Sequence, residues 1–190
     1  HEAVNGLMGG NTALAVFPAG TGNDFAKTLK LPGSRETTEK FSTFIRKKID
    51  VAKLDEEYFV NIAGVGLDAE VARIVNNASY LKGKLAYLGG IMGALVKFKP
   101  LLLEVVVDGI RLREKAMLVA VGNGQYLGGG IRLLPQAGVD DGLLDVCLIK
   151  ETSVLEALTT LPAVYTGRHI LHPKCVFLKG RKISIEVLSG

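Results

Sequence analysis

The sequence predicts an α+β protein: a remnant of an α/β domain over residues 1–47, then a mainly β, sandwich-like part over residues 48–190 with a few helices. Three observations carry this. An apolar run, Ala13 to Phe17, ends in a proline–glycine loop and a helix start, the strand–turn–helix order of α/β units. From Ile49 on, short runs rich in Val, Ile and Leu alternate with turn signals, as in a sandwich. Two longer runs, Lys84 to Lys99 and Ser153 to Thr166, read as helices because they outlast a strand and lack strict alternation.

His1 to Leu7 reads as the end of a helix. Ala13 to Phe17 is short, apolar and bounded by Pro and Gly, which predicts a buried parallel strand. The loop that follows is Pro18-Ala19-Gly20-Thr21-Gly22, and a helix opens at Asn23-Asp24 and runs to Leu31. Gly20 and Gly22 allow close backbone approach, and Asn23 or Asp24 is a natural N-cap. Such a turn presents free N–H groups at a helix start, a phosphate site to which Thr21 adds a hydroxyl. Asp24 repels phosphate unless a divalent cation lies between them, so the turn points to a Mg-nucleotide. The alternative is a strand–glycine–helix turn that binds nothing, with Asp24 as a cap alone.

Thr37 to Lys47 predicts a second helix with Phe41, Phe44 and Ile45 on one face. Ile49–Leu54 and Tyr58–Ala63 flank a polar turn and predict a hairpin. Gly64 and Gly66 predict a tight turn into a helix that Asp68 caps. The helix from Lys84 is closed by Pro100; its apolar faces pack on the sheet, and a lipid-facing role for Tyr87, Leu88 and Met92 is the lesser alternative. Leu101–Val107 is a strand, Asp108-Gly109 a hairpin turn, and Ile110–Arg113 and Ala116–Gly122 its partners. Asn123 to Gly130 holds too much glycine for a regular element and reads as a loop, either exposing backbone to a partner or serving as a flexible connector. Asp140, Asp141 and Asp145 surround a turn that can seat a hard cation or be a plain Asp-Gly turn. Asp145 points to solvent or to a cross-strand partner. Ser153 to Thr166 reads as a helix capped by Thr152 or Ser153, with Glu156 at capping-box spacing. Cys175–Leu178 and Lys182–Leu188 read as a last hairpin, and His169 and His172, without a spaced zinc partner, as surface residues.

Composition narrows the function classes. The 190 residues are 48% hydrophobic and 22% charged, a globular balance. The 23 basic against 19 acidic side chains give +4, which suits anionic ligands but is too mild for a nucleic-acid binder without a matching motif. Cys147 and Cys175 lie in separate apolar runs and form no CxxC, so they read as thiols of a reducing compartment. The longest apolar run, Leu85 to Val96, is short for a bilayer and broken by glycines.

The segment PAGTGNDFAK closely resembles the GTGNDFAR-type motif of the diacylglycerol kinase catalytic domain, found in soluble bacterial diacylglycerol kinases and related lipid kinases. Lys27 stands where Arg is usual, which keeps the charge but loses the bidentate fork. The likeness covers nearly all of the chain. Residues 61–70 resemble the family's NxAGxGxDAEV segment, residues 123–130 its GNGxxxGGG loop beside the cleft, and residues 138–145 its PxAxxDDGxLDV segment. The resemblance implies an ATP-dependent, Mg2+-requiring lipid kinase that phosphorylates a lipid hydroxyl such as that of diacylglycerol. It implies that Gly20, Thr21, Gly22, Asn23 and Asp24 hold the nucleotide and its Mg2+. It also implies a structural Mg2+ on the Asp141 side chain and the carbonyls of Gly138 and Leu143. The family's GGDGT loop would precede His1, where Glu2 matches a nearby position, and its catalytic Glu would follow Gly190; Glu186 is not its equivalent. The chain, starting at His1 rather than Met, therefore reads as an inactive fragment. Expected partners are ATP and a lipid at the inner membrane face of the cytoplasm, with a homodimer left open and nucleic acid excluded. The alternatives are a soluble-metabolite kinase resembling NAD kinase and a non-catalytic lipid-binding regulatory protein.

Overall fold

The computed structural model describes residues 1–77 and 84–189, without side chains for residues 75–77, 84–88 and 90. The expected roles of Tyr87 and Leu88 lie outside the described residues; Met92 is exposed. Helices α1 (Glu2–Leu7), α2 (Asp24–Thr28) and α3 (Ser34–Glu39) precede the hairpin of β1 (Ala52–Leu54) and β2 (Glu57–Phe59). Then come β3 (Ile62–Gly66), α4 (Leu67–Asn77), α5 (Lys84–Lys97), β4 (Leu101–Val107) and β5 (Ile110–Gly122). The chain closes with β6 (Leu144–Lys150), α6 (Val154–Thr166), β7 (Cys175–Gly180) and β8 (Ile183–Ser189). The fold is the predicted mixed α+β arrangement.

The main sheet runs β7-β6-β5-β4-β8, all antiparallel, and β3 also pairs with β5. β5 is longer than any other strand and organises it. Its first half, Ile110 to Ala116, pairs with β4; its second half, Leu118 to Gly122, lies between β3 and β6. A register shift at Met117 marks the change, and a bulge of this kind bends a strand so that one sheet folds into two layers. Burial follows. Residues 110–115 are exposed or half-buried, and residues 116–122 are covered on both faces. Val119 and Val121 join Leu103, Val105, Val107, Val146 and Leu148 in a core between the layers. Leu118 and Ala120 point the other way, into a core with Ile91, Ala94 and Leu95 of α5. The period-two alternation of a strand lets β5 supply both cores. Gly66, at φ +118°, comes so close to this bend that a Cβ there would lie 2.4 Å from the Met117 carbonyl oxygen.

Several expectations are corrected. Ala13–Phe17 forms no strand, and Leu14 and Phe17 are exposed, because no neighbouring strand among the described residues offers it a ladder. The helix expected over residues 37–47 is α3 plus one 3-10 turn, Phe41–Thr43. Thr38 and Thr43 there donate side-chain hydrogen bonds to the Ser34 and Lys40 carbonyls, and such bonds favour tight turns over continued helix. At the surface the Phe41 ring meets Phe17 in a tilted contact and Phe44 edge-on. α2 stops at Thr28, short of Leu31. Tyr58–Ala63 is not one strand: β2 ends at Phe59, and the following residues turn to join β5. Gly64 and Gly66 lie within β3 and not in a turn. The two strands expected over residues 110–122 are one. β7 and β8 form no hairpin; they sit at opposite ends of the sheet, and their connection is held by Asp108, whose carboxylate accepts from the Arg181 and Lys182 amides.

His169 is fully buried, against the expected surface position, and His172 is half-buried. The His169 ring packs 5.4 Å from the Phe177 ring and bonds the Leu133 carbonyl oxygen through Nε2 at 3.0 Å. Burial pushes its pKa below the ordinary 6.5. The unfolded chain therefore takes up this proton first, so the contribution of His169 to stability falls as pH drops through about 6.5. Melting temperatures measured from pH 8 to pH 5 are expected to converge for the wild type and His169→Gln. A constant gap across that range would show that His169 has an ordinary pKa in the fold.

Candidate functional site

The turn expected to hold phosphate is built by its own asparagine. Asn23 takes left-handed backbone angles, φ 53° and ψ 35°, a conformation asparagine tolerates better than most residues. Its side chain folds back, accepting from the Gly20 amide at 2.9 Å and donating to the Gly20 carbonyl at 2.7 Å and the Pro18 carbonyl at 3.2 Å. Asn23 thus occupies the cap position of α2 but braces the loop before it. Among the described residues, the Thr21 hydroxyl and the Thr21 and Gly22 amides bond nothing. They are the turn's free donors. α2 is only five residues long, so its macrodipole is smaller than that of a full helix.

Asp24 reaches across to the glycine-rich loop. Its Oδ2 accepts from the Gly129 amide at 2.8 Å, and its Oδ1 lies 3.3 Å from the Lys27 ammonium. One turn on, Thr28 Oγ1 accepts from the Gln125 amide at 2.9 Å. Gln125 in turn donates to the Ala137 carbonyl and accepts from Arg132. The loop of residues 123–130 is therefore neither free for a partner along its length nor a flexible connector. Asn123 within it is fully buried and donates to the Asp50 carbonyl. Tyr165 of α6 packs against the core under the helices; burial raises its pKa and the charge of Asp24 raises it further. Asn61, which donates to the Tyr126 carbonyl at 3.1 Å, Asn123 and Gln125 lie in segments that the sequence marked, but only the fold shows what they meet; Tyr165 carries no sequence signal.

Behind the glycine loop lies an apolar cavity of about 120 Å3 between α4, α5, α6 and the sheet. Leu127 of the loop lines it, as do Val71, Ile91, Leu95, Leu118 and Leu161. Asp68 lines it too. Its Oδ1 is buried with no hydrogen-bond partner, and burial raises its pKa. Gly64 makes room for it: a Cβ on Gly64 would lie 2.0 Å from Asp68 Oδ2. Asp68 is the second residue of α4 and so lies within its first turn, not at the cap position expected of it; its carboxylate is tucked between the cavity wall and Gly64.

The Asp141 turn is separate. Asp141 Oδ1 accepts from the Leu143 amide at 3.1 Å, and Oδ2 accepts from the Lys179 ammonium at 2.9 Å. Lys179 also lies 3.1 Å from Asp145 Oδ2, in ion-pair range. Lys179 is the register partner of Asp145 across β6 and β7, so Asp145 is the cross-strand residue the alternation allowed, though buried. Lys179 holds the Asp141 carboxyl below its usual range, whereas burial raises that of Asp145. Asp140 pairs instead with Lys47 at 2.7 Å. The donor types fit a hydrated divalent cation: one carboxylate with the carbonyls of Gly138 and Leu143 on the same turn. Gly138 leaves space, since a Cβ there would lie 3.0 Å from Asp141 Oδ2. That oxygen already faces the chain's own ammonium, so a metal must share it with Lys179 or displace it. Among the described residues no group of three or more His, Cys, Asp or Glu side chains could hold a metal.

Residues 1–54 match the diacylglycerol kinase catalytic domain, and residues 61–189 match the YegS C-terminal NAD kinase β-sandwich-like domain. The chain is 28% identical to a diacylglycerol kinase of Bacillus subtilis, over 98% of this chain and 63% of that protein. It is 26% identical to a diacylglycerol kinase of Mycobacterium tuberculosis, over 97% of this chain and 62% of that protein. A crystal structure of a diacylglycerol kinase from Bacillus anthracis superposes with a TM-score of 0.74 at 29% identity, covering 99% of this chain and 63% of that one. The chain thus spans about three fifths of the length of these relatives.

Replacing Lys179 by Met leaves the buried Asp145 and the half-exposed Asp141 without their cation. The expected cost is about 1–2 kcal/mol, a fall in Tm of several degrees for a chain of this size. If the turn accepts a divalent cation, millimolar Mg2+ restores part of that loss in Lys179→Met, and a chelator removes the gain. A melting curve of the variant that is indifferent to both would rule out metal binding at this turn.

Proposed function

The chain belongs to the diacylglycerol kinase family, and from that premise we propose that its protein is an ATP-dependent lipid kinase acting on the hydroxyl of diacylglycerol or a similar lipid. One observation carries the reading. A single loop, residues 123–130, is latched on one side to the turn at residues 20–24 and on the other forms a wall of an apolar cavity. A phosphate-binding turn and a lipid-accepting cavity are thus neighbours. Their juxtaposition supports phosphoryl transfer, which depends on positioning and charge neutralisation more than on covalent chemistry by the protein.

In this reading residues 1–47 are the C-terminal part of the nucleotide-binding domain, and residues 48–190 belong to the lipid kinase's β-sandwich-like domain. The Thr21 hydroxyl and the Thr21 and Gly22 amides hold phosphate oxygens. Gly20 and Asn23 fix the turn's shape, and Lys27 adds positive charge beside it. Asp24 orients the nucleotide's Mg2+, directly or through water. The bound ion neutralises charge on the phosphates. Asp141, with the carbonyls of Gly138 and Leu143, holds the structural ion in place of Lys179. The cavity seats part of an acyl chain, and Asp68 on its wall accepts a hydrogen bond from the lipid hydroxyl. Its raised pKa makes it a stronger proton acceptor than an exposed aspartate. No described helix is long and apolar enough to cross a membrane. The reading places the protein in the cytoplasm, meeting its lipid at the inner membrane face.

The test is transfer of labelled phosphate from ATP to diacylglycerol in mixed micelles by the full gene product. Asp24→Asn and Asp68→Asn are each expected to lower kcat/KM by about 100-fold or more, while cooperative melting curves show that both variants fold. Transfer to NAD but not to diacylglycerol would replace the lipid acceptor, and vesicle binding without ATP consumption would remove the kinase reading.

A further inference from the structure

We propose that Arg132, acting through Gln125, pins the glycine-rich loop to the end of α6 and is thereby a positioning residue for phosphoryl transfer. Its role in transfer rests on the lipid-kinase reading; the pin itself rests on contacts. The tip of the loop, residues 128–130, carries the Gly129 amide that holds Asp24. Three glycines in a row have no side chains with which to fix their own place. The tip is therefore only as well placed as its base, where Leu127 and Ile131 exchange backbone hydrogen bonds at 2.9 and 3.0 Å.

Arg132 follows that base directly. Its Nε and Nη2 both donate to Gln125 Oε1, at 3.2 and 3.0 Å. Nη2 also donates to the Pro135 carbonyl at 3.4 Å, and the guanidinium carbon lies 6.0 Å from the centre of the Tyr126 ring. Gln125 is the residue whose amide reaches Thr28 of α2. The stem of Arg132 faces the end of α6. Gly167 caps that helix at φ 78°, and a Cβ on it would lie 3.2 Å from Arg132 Cδ and 2.9 Å from Pro135 Cβ. The flanking residues Ile131 and Leu133 are buried and line the cavity, as do Leu161 and Val164 of α6. One half-buried side chain thus meets the loop that touches α2 and the helix that walls the cavity. The rigid fork of a guanidinium fixes direction in a way that a lysine ammonium does not. Without it both ligands still bind, but their reacting groups are poorly aligned, and alignment sets the rate of transfer.

Arg132→Met keeps the stem and removes the fork; Gln125→Leu removes its acceptor. In the full gene product each is expected to lower kcat for micellar diacylglycerol about 10-fold. KM for ATP and for the lipid should change by about 3-fold or less. The double variant should be no slower than either single one, because both break the same contact. Arg132→Lys, with the charge but not the fork, should recover less than half of the lost kcat. Amide hydrogen exchange supplies a readout that needs no activity. Peptides covering residues 123–130 are expected to exchange about 10-fold faster in Arg132→Met, while those of β4 match the wild type. Full activity in Arg132→Lys, a raised KM for ATP at normal kcat, additive losses in the double variant, or unchanged exchange in the loop would each overturn the proposal. The kinase reading fails separately: a wild type that phosphorylates no diacylglycerol, but whose loop exchange depends on Arg132 as stated, refutes the activity and leaves the pin in place.

Discussion

The bend of β5 at Met117 is the constraint on which the rest of the molecule depends. A strand can serve two cores only if its two faces are both covered, and the covering here comes from different parts of the chain. Val119 and Val121 close the space between the sheet layers, while Leu118 and Ala120 meet the helices. β3 docks on the same stretch of β5, which places Asp68 at the cavity, because α4 starts directly where β3 ends. The glycine-rich loop begins where β5 stops. Everything at the candidate site is thus hung from one strand end.

Polar groups then fix what the hydrophobic cores leave free. The Asp24–Gly129 and Thr28–Gln125 bonds join residues about a hundred positions apart. Both use backbone amides of an irregular loop, which must find partners when half-buried. The loop is ordered by the same contacts that bring the turn at residues 20–24 beside the cavity.

The cation at the Asp141 turn illustrates a different economy. Two carboxylates four residues apart repel unless a positive charge lies between them, and Lys179 on the neighbouring strand supplies it. A divalent ion and an ammonium answer the same electrostatic need, but the ammonium arrives by strand register and needs no free ligand.

Much of this was legible from residues alone. Leu101–Val107, the Asp108-Gly109 turn, the helix after Lys84 and the Ser153 cap each follow from local rules, and the structure repeats them. The Ser153 hydroxyl accepts from the Glu156 amide at 3.2 Å, as the spacing required. The resemblance carried by PAGTGNDFAK identified the family. Other features could not be read, because their determinants are distant in sequence. Glu114-Lys115 looked like a break between strands, yet a polar pair fits the exposed end of a continuous one. Gly64 and Gly66 looked like a turn, yet they are the places where a strand must approach Asp68 and the Met117 carbonyl. His169 looked like a surface residue until the Leu133 carbonyl and Phe177 closed over it. Sequence by itself determined the elements whose stability is local, together with the family resemblance. Tertiary structure alone decided which strand pairs with which, where the cavity lies and which cation meets Asp141, because those outcomes depend on burial and charge shared between segments that only folding brings together.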